Sequence, residues 1–449
     1  MQPIKLSDHF TVKKLLRFTL PSIAMMIFTS IYGVVDGFFV SNFVGKTPFA
    51  AVNFIMPFLM ILGTIGFMFG AGGSALISKT MGEGDLEKAN RTFSLLTYTV
   101  MLCGILFALL GILFLRPIAA LLGAEGEMLE HCVTYGRIIL AALPFFVLQM
   151  AFQSFFVTAE KPQLGLIVTV AAGIANMVLD ALLVGVFPLG LVGAALATAI
   201  SQCVGALIPL IYFWCPNNSL LRLTKTNFDG AALLKTCTNG SSELMSNISM
   251  SLVGMLYNVQ LLSYEGENGV AAYGVMMYVN MIFIAVFIGY SIGTAPIIGY
   301  HYGAKNDTEL KNLLKKSLGL ISIAAIGMLL LAFVLAAPLS GLFVGYDDDL
   351  YELTRNGFSI FSFSFLFAGF AIFGSGFFTA LNDGITSAII SFLRTLVFQI
   401  AAVMLLPLIW QTNGIWISVV VAELMAVAVS AFFLFLKREL LMQQFVTMP

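Results

Sequence analysis

FTLPSIAMMIFTSIYGVVDGFFVSNFV, residues 18–44, is an apolar run broken only by hydroxyls, glycines, Pro21, Asn42 and a single carboxylate, Asp36. About 20 such residues make a helix long enough for a ~30 Å hydrocarbon core. A charge at that depth costs at least ~2.5–3.5 kcal/mol, so it faces the protein interior and has a task. Tyr32 lies four residues earlier and shares the Asp36 face of the helix. Pro21 falls three residues into the run, removes a helix hydrogen bond and favours a bend there.

The rest of the chain repeats that apolar character. Of 449 residues, 59% are hydrophobic and 10% charged, with a mean hydropathy of +0.97. A soluble domain carries roughly 25% charged residues, so this is an integral membrane protein. A net charge of −1 argues against nucleic acid as a partner. The cysteines, Cys103, Cys132, Cys203, Cys215 and Cys237, are odd in number and lack ligand spacing, which reads as packing. His9, His131 and His301 fall at predicted ends or loops, so a metal site has no support. Phosphate-cradling loops, nucleophile elbows and H-E-x-x-H are absent, which leaves neither an enzyme nor a cofactor site in view. The first run has no small-residue cleavage pattern and is retained as a span.

Apolar runs of about 20 residues or more recur twelve times, near 18–43, 50–78, 93–115, 134–158, 163–187, 191–214, 240–263, 270–300, 317–339, 356–381, 385–409 and 414–436. The fold expected is all-α and membrane-spanning. Alternate loops differ in charge: eighteen of the 22 Lys and Arg, among them Lys5, Arg17, Lys79, Arg222, Lys305 and Arg394, fall on one side. Lys46, Arg116, Arg137 and Arg355 fall on the other. The positive side is cytoplasmic, which places both termini there, in the plasma membrane of the cell.

The chain also resembles itself. An offset of 221 pairs Gly33 with Gly254, Gly45 with Gly266, Met56 with Met277, Met60 with Met281, Gly72 with Gly293 and Gly82 with Gly303. Six spans per half is an even number, so the halves are parallel repeats about an axis along the membrane normal. The expected divisions are an N-lobe over 1–215, a linker over 216–239, a C-lobe over 240–437 and a cytoplasmic tail over 438–449. Asp36 pairs with Tyr257, so only one half carries an acid at that place.

Four of the 23 acids fall within spans: Asp36, Asp180, Glu243 and Glu423. Asn176 precedes Asp180 by one helical turn and can donate its amide to it. Two carboxylates with amide and hydroxyl groups can bind and release a proton, or hold Na⁺ through oxygen, or simply tie helices together by hydrogen bonds. Glu243 follows Asn239–Ser242 and reads as an acid in the first, shallow turn of its helix, where the helix dipole favours it. Glu423 is mid-span with no partner evident in the sequence. Gln149, Gln153 and Gln202 are further polar side chains inside spans, read first as interhelical hydrogen bonds and second as substrate or coupling contacts.

PSIAMMIFTSIYGVVDGFFVSNFVG in the first span, GEGDLEKA after the second, NMVLDALLV in the fifth and LGLVGAALATAISQ in the sixth carry a resemblance. Over about residues 10–437 the chain resembles the multidrug and toxic compound extrusion (MATE) transporters of the multidrug/lipid/polysaccharide exporter superfamily. The resemblance implies a V-shaped pair of six-helix lobes that exchanges organic drugs for H⁺ or Na⁺. In DinF-like and archaeal-type members the N-lobe cation site maps onto Tyr32, Asp36, Asn176, Asp180 and Thr198, and Pro21 matches the bend of the first helix. NorM-like members use acids of the seventh and tenth spans. Here the tenth has none, which speaks against a C-lobe Na⁺ site. The expected function is therefore efflux of amphipathic, cationic small molecules by a monomer in the lipid bilayer. The alternatives are a lipid-linked oligosaccharide flippase of the same superfamily, which needs a basic cavity, or a non-transporting receptor or scaffold.

Overall fold

A helix satisfies every backbone N–H and C=O within its own segment, which is what a bilayer demands. The computed structural model describes residues 3–443 and, among them, builds helices and no strands. Helix α1 (Val12–Phe39) starts at Thr11, whose hydroxyl accepts from the Lys14 N–H, runs through Pro21 without a break and passes into a π-helical turn, Val40–Val44. The first half continues with α2 (Lys46–Gly82), α3 (Leu86–Leu121), α4 (Gly126–Ala141), α5 (Leu143–Thr158), α6 (Pro162–Asp180) and α7 (Gly190–Trp214). The second half holds α8 (Gly230–Gly303), α9 (Asp307–Val344), α10 (Asp348–Phe361), α11 (Phe365–Ala380), α12 (Gly384–Phe392), α13 (Phe398–Leu405) and α14 (Pro407–Gln443).

Two joints reconcile these helices with twelve crossings. α4 and α5 meet at 54° and together make one. α8 has 74 residues, which would stretch ~110 Å if straight at ~1.5 Å per residue, more than three bilayer cores. Gly266, at φ 64 and ψ −147, breaks it into two spans. With α10–α11 and α12–α13 each read as one span, the fold is two sets of six.

Backbone geometry shows the duplication better than residue identity does. Positive φ angles recur at offsets of 221 or 222: Gly45 and Gly266, Gly84 and Lys305, Glu160 and Asn382, Gly190 and Gln411. The packing between halves has the same two-fold relation. A methyl on Gly82 would run into the Tyr300 carbonyl, and one on Gly303 into the Lys79 carbonyl. Both contacts are the same pair of positions with the halves exchanged.

These close approaches lie at the end of the bundle where the chain enters. There the N-terminal arm also ties the halves together. Leu6 N–H donates to Glu160, while Phe10 N–H and His9 reach Glu309 of α9 at 2.9 and 2.6 Å. Leu6 and Phe10 are fully buried. Toward the opposite end, the last hydrogen bond between halves among the described residues is Ser30 Oγ to the Met281 carbonyl, 3.4 Å. Beyond it, Gly33 and its mate Gly254 have nothing within 4 Å of an added methyl. The lobes thus form a V, closed at the end where α1 begins and open at the other.

Two helices run beyond the apolar runs, α8 back into the linker and α14 on into the tail. The linker is helical from Gly230, because Asp229 caps the helix and Thr238 and Ser241 turn their hydroxyls onto the Lys235 and Thr238 carbonyls. Its first part lies along α3, with Arg222 and Thr224 N–H groups donating to Asn90 and Ser94. Of the tail expected over 438–449, α14 extends to Gln443 and the remainder lies outside the described residues.

Candidate functional site

A glycine makes the first-half site possible. A methyl on Gly173 of α6 would sit 3.0 Å from Cδ1 of Tyr32 and clash with the Phe28 ring. Its absence lets α1 and α6 approach closely, and one to two turns further along they present Asp36, Asn176 and Asp180 to each other. The Asp36 carboxyl faces Asp180, Asn176 and Thr198, and its direct bond among the described residues comes from Thr198 Oγ1, 3.4 Å to Oδ1. Asp180 is fully buried, Asn176 is buried, and Asp36, Tyr32 and Thr198 are half-buried. The structure therefore brings together all five residues expected there.

The partners they lack define the chemistry. Asp180 Oδ1 and Oδ2 and Asn176 Oδ1 are buried without a hydrogen-bond partner. All three are acceptors. Among the described residues no Lys, Arg or His pairs with Asp36 or Asp180. Two carboxyl groups this close do not both stay ionised without help. A proton shared between them, or a small cation ligated by these oxygens, supplies what the site is short of.

One member was missed by the sequence reading. Tyr135 of α4 is 1% exposed, and its ring is close enough to feel both Asp36 and Asp180. Nothing adjacent to it in CVTYGRIIL marks it. Depth does: counted to the open-end limit of each helix, including the π-helical turns that follow α1 and α6, Asp36, Tyr135, Asp180 and Thr198 lie 8, 9, 6 and 8 residues in, ~9–14 Å at ~1.5 Å per residue.

Gln149 and Gln153 of α5 are buried and line, with Thr169, a cavity of about 10 Å³. That is room for about one water and none for an organic substrate. Gln153 Nε2 and Gln202 Oε1 have no protein partner, so these glutamines belong to the lobe interior. Pro21 lies within an unbroken α1 in this state.

In the second half two expectations are corrected. Arg394, expected on the cytoplasmic side, sits midway along the α12–α13 span in a π-helical turn, Leu393–Val397. It meets Glu423 of α14 with Nε–Oε2 2.8 Å and Nη2–Oε1 2.9 Å, both side chains largely buried at 15% and 7% exposure. Glu423 thus has a partner, 29 residues away in sequence, and seventeen rather than eighteen basic residues mark the positive side. Glu243 is not in a first turn. Its helix begins at Gly230, so it lies deep enough for its charge to interact with Arg394. The deep basic group that a pyrophosphate-gripping cavity would use is present, but its charge is committed to Glu423. At the Asp36-equivalent position, Tyr257 donates to Gln399 Oε1 at 2.8 Å and stacks on Tyr273.

Comparison with known proteins is consistent with this geometry. The MatE family model matches residues 21–182 and 244–405, once per half. The multidrug export protein MepA of Staphylococcus aureus strain MSSA476 is 26% identical over 430 residues, covering 95% of this chain and 94% of its own. MepA of Staphylococcus saprophyticus is 25% identical over 441 residues, with the same coverage. Among solved structures, a MATE in complex with MaL6 superposes with a TM-score of 0.93 at 21% identity, covering 99% of this chain and 100% of that one. A multidrug resistance MATE family transporter in an outward-facing conformation gives 0.92 at 22% identity and 99% of each chain.

Proposed function

The chain belongs to the MatE family, whose members are transporters and not enzymes, and from that premise we propose a specific reading. It exports amphipathic organic compounds, cationic ones foremost, in exchange for inward-moving H⁺ or Na⁺. The observation that carries the reading is the acid pair Asp36 and Asp180, which is rich in acceptors and has no fixed cation. Such a pair binds one mobile cation when it faces the side where that ion is plentiful and releases it on the other.

We place both termini in the cytoplasm on the distribution of Lys and Arg in the loops, so the open end of the V faces outward across the plasma membrane. In this state an ion reaches Asp36 and Asp180. Neutralising them lets α1 repack against α6, with Pro21 as the point of bending, and the substrate leaves the cleft. The inward-open state then releases the ion and reloads. Met60 and Met281, repeat mates that are both exposed, suit a wall that adapts to varied apolar shapes. One charge falling through ~100 mV supplies ~2.3 kcal/mol. At ~1.4 kcal/mol per tenfold, that sustains a gradient on the order of fifty-fold for a neutral substrate without ATP or any cofactor. A one-for-one exchange with a monovalent cation, by contrast, moves no net charge and draws on the ion's concentration gradient alone. The unit of function is the monomer, since each chain holds both lobes.

The test is efflux of a fluorescent cationic dye from vesicles in which H⁺ and Na⁺ gradients are set independently. Efflux should follow one of the two gradients and stop with Asp36→Asn. Efflux that ignores both gradients, or persists in the variant, rejects the reading.

A further inference from the structure

Each lobe buries two interior acids, but they are served differently. In the first half, Asp36 and Asp180 face each other with no fixed cation and with three partnerless acceptor oxygens around them. In the second, Glu423 takes the Nε–Nη2 edge of the Arg394 guanidinium. No oxygen of Glu423, and no nitrogen of Arg394, is left buried without a partner among the described residues.

The positions make the contrast chemical. At the 221 offset, Glu423 stands where the first half has Gln202. At the offset of 222 set by the Glu160 and Asn382 turns, Arg394 stands where the first half has Ala172. The fifth span of each half carries a π-helical turn, directly after Asp180 in one and around Arg394 in the other. Such turns are rare and occur frequently at functional sites. Here one adjoins an acid and the other delivers a base.

We propose that Arg394 is a tethered counter-cation, doing permanently for Glu423 what a mobile ion does for Asp36 and Asp180. The second lobe then takes up no coupling ion, and the exchange stoichiometry is set by the first lobe alone. A guanidinium held by two parallel N–H···O bonds stays charged and is not exchanged. The statement about stoichiometry rests on the ion-exchange reading. The statement about Arg394 does not, and it can be tested where the first-half site has been disabled.

The experiment counts cations on purified, full-length protein carrying Asp36→Asn and Asp180→Asn. Two signals are read: retained ²²Na⁺, and the infrared band of a neutral carboxylic acid. Adding Arg394→Gln should make one cation appear, as Na⁺ or as a proton on a carboxyl. Arg394→Lys, which keeps a tethered charge, should not, and Glu423→Gln on top of Arg394→Gln should remove the new signal. A folded Arg394→Gln protein with neither signal overturns the proposal. If Arg394→Gln does not fold, Arg394→Met with Glu423→Met in the otherwise native chain replaces the pair by packed apolar groups. Its cation count should equal that of the native protein, and a drop by one overturns the proposal equally.

Discussion

Asp36 in the first lobe stands where Tyr257 stands in the second, and the two side chains show how one backbone was put to two uses. Asp36 finds another acid, Asp180, together with Asn176 and Thr198. Tyr257 finds Gln399, a neutral acceptor satisfied at 2.8 Å. The charge that the second lobe does bury is balanced within the chain by the Arg394–Glu423 pair. A duplicated fold supplies two similar frames, and a transporter needs only one of them to respond to an ion. The other can be rigid.

The largest effect should come from neutralising the responsive pair. Asp36→Asn or Asp180→Asn should abolish gradient-driven dye efflux in vesicles while leaving the protein as stable as the parent or more so, since a buried charge is removed. A variant that still concentrates dye against its gradient would erase the distinction between lobes. Next comes the fixed pair. Arg394→Gln leaves Glu423 buried without its partner and should cost ~3–5 kcal/mol in unfolding measurements, less whatever cation uptake returns. Arg394→Met with Glu423→Met should recover most of that loss.

A matched pair of tyrosine variants probes the same contrast on a smaller scale. Tyr257→Phe strands the Gln399 oxygen and should lower stability by about 1–3 kcal/mol without changing ion dependence. Tyr135→Phe should do the reverse, leaving stability nearly unchanged and weakening ion affinity by up to about tenfold, read as the ion concentration for half-maximal efflux. The smallest effect lies at the turn between α11 and α12. Burial works to raise the Asp383 carboxyl, but Lys437 and Thr386 hold it below the ordinary carboxylate value. A depressed folded value means the contribution is present above the unfolded pKa and is lost as pH falls through the folded one. Asp383→Asn should therefore cost no more than about 1 kcal/mol near pH 7, and the difference from native protein should vanish at strongly acidic pH.

Much of this was legible in the sequence, for stated reasons. An acid in an apolar run is expensive enough to be rare, so Asp36 and Asp180 announce themselves, and helical spacing brings Tyr32 and Asn176 with them. The count of spans and the parallel duplication followed from run lengths and the 221 offset. What stayed hidden depended on contacts between distant segments. Arg394 reads as a loop residue until Glu423 is seen against it. Glu243 reads as shallow until its helix is found to start at Gly230. Tyr135 has no acid within one helical turn along the chain and belongs to the site only through its depth. The turns at Gly84 and Lys305, or at Glu160 and Asn382, share a backbone angle while sharing no residue type, so alignment of letters could not pair them.

One comparison bears on all of this at once: dye efflux under an imposed ion gradient for two doubly substituted proteins, each confirmed to be folded. Asp36→Asn with Asp180→Asn disables the first lobe, and Arg394→Met with Glu423→Met neutralises the second. The first should show no response to either H⁺ or Na⁺, and the second should keep the gradient dependence of the native protein. Retained ion-driven efflux in the first, or its loss in the folded second, would mean that the coupling ion is not confined to the lobe that carries Asp36.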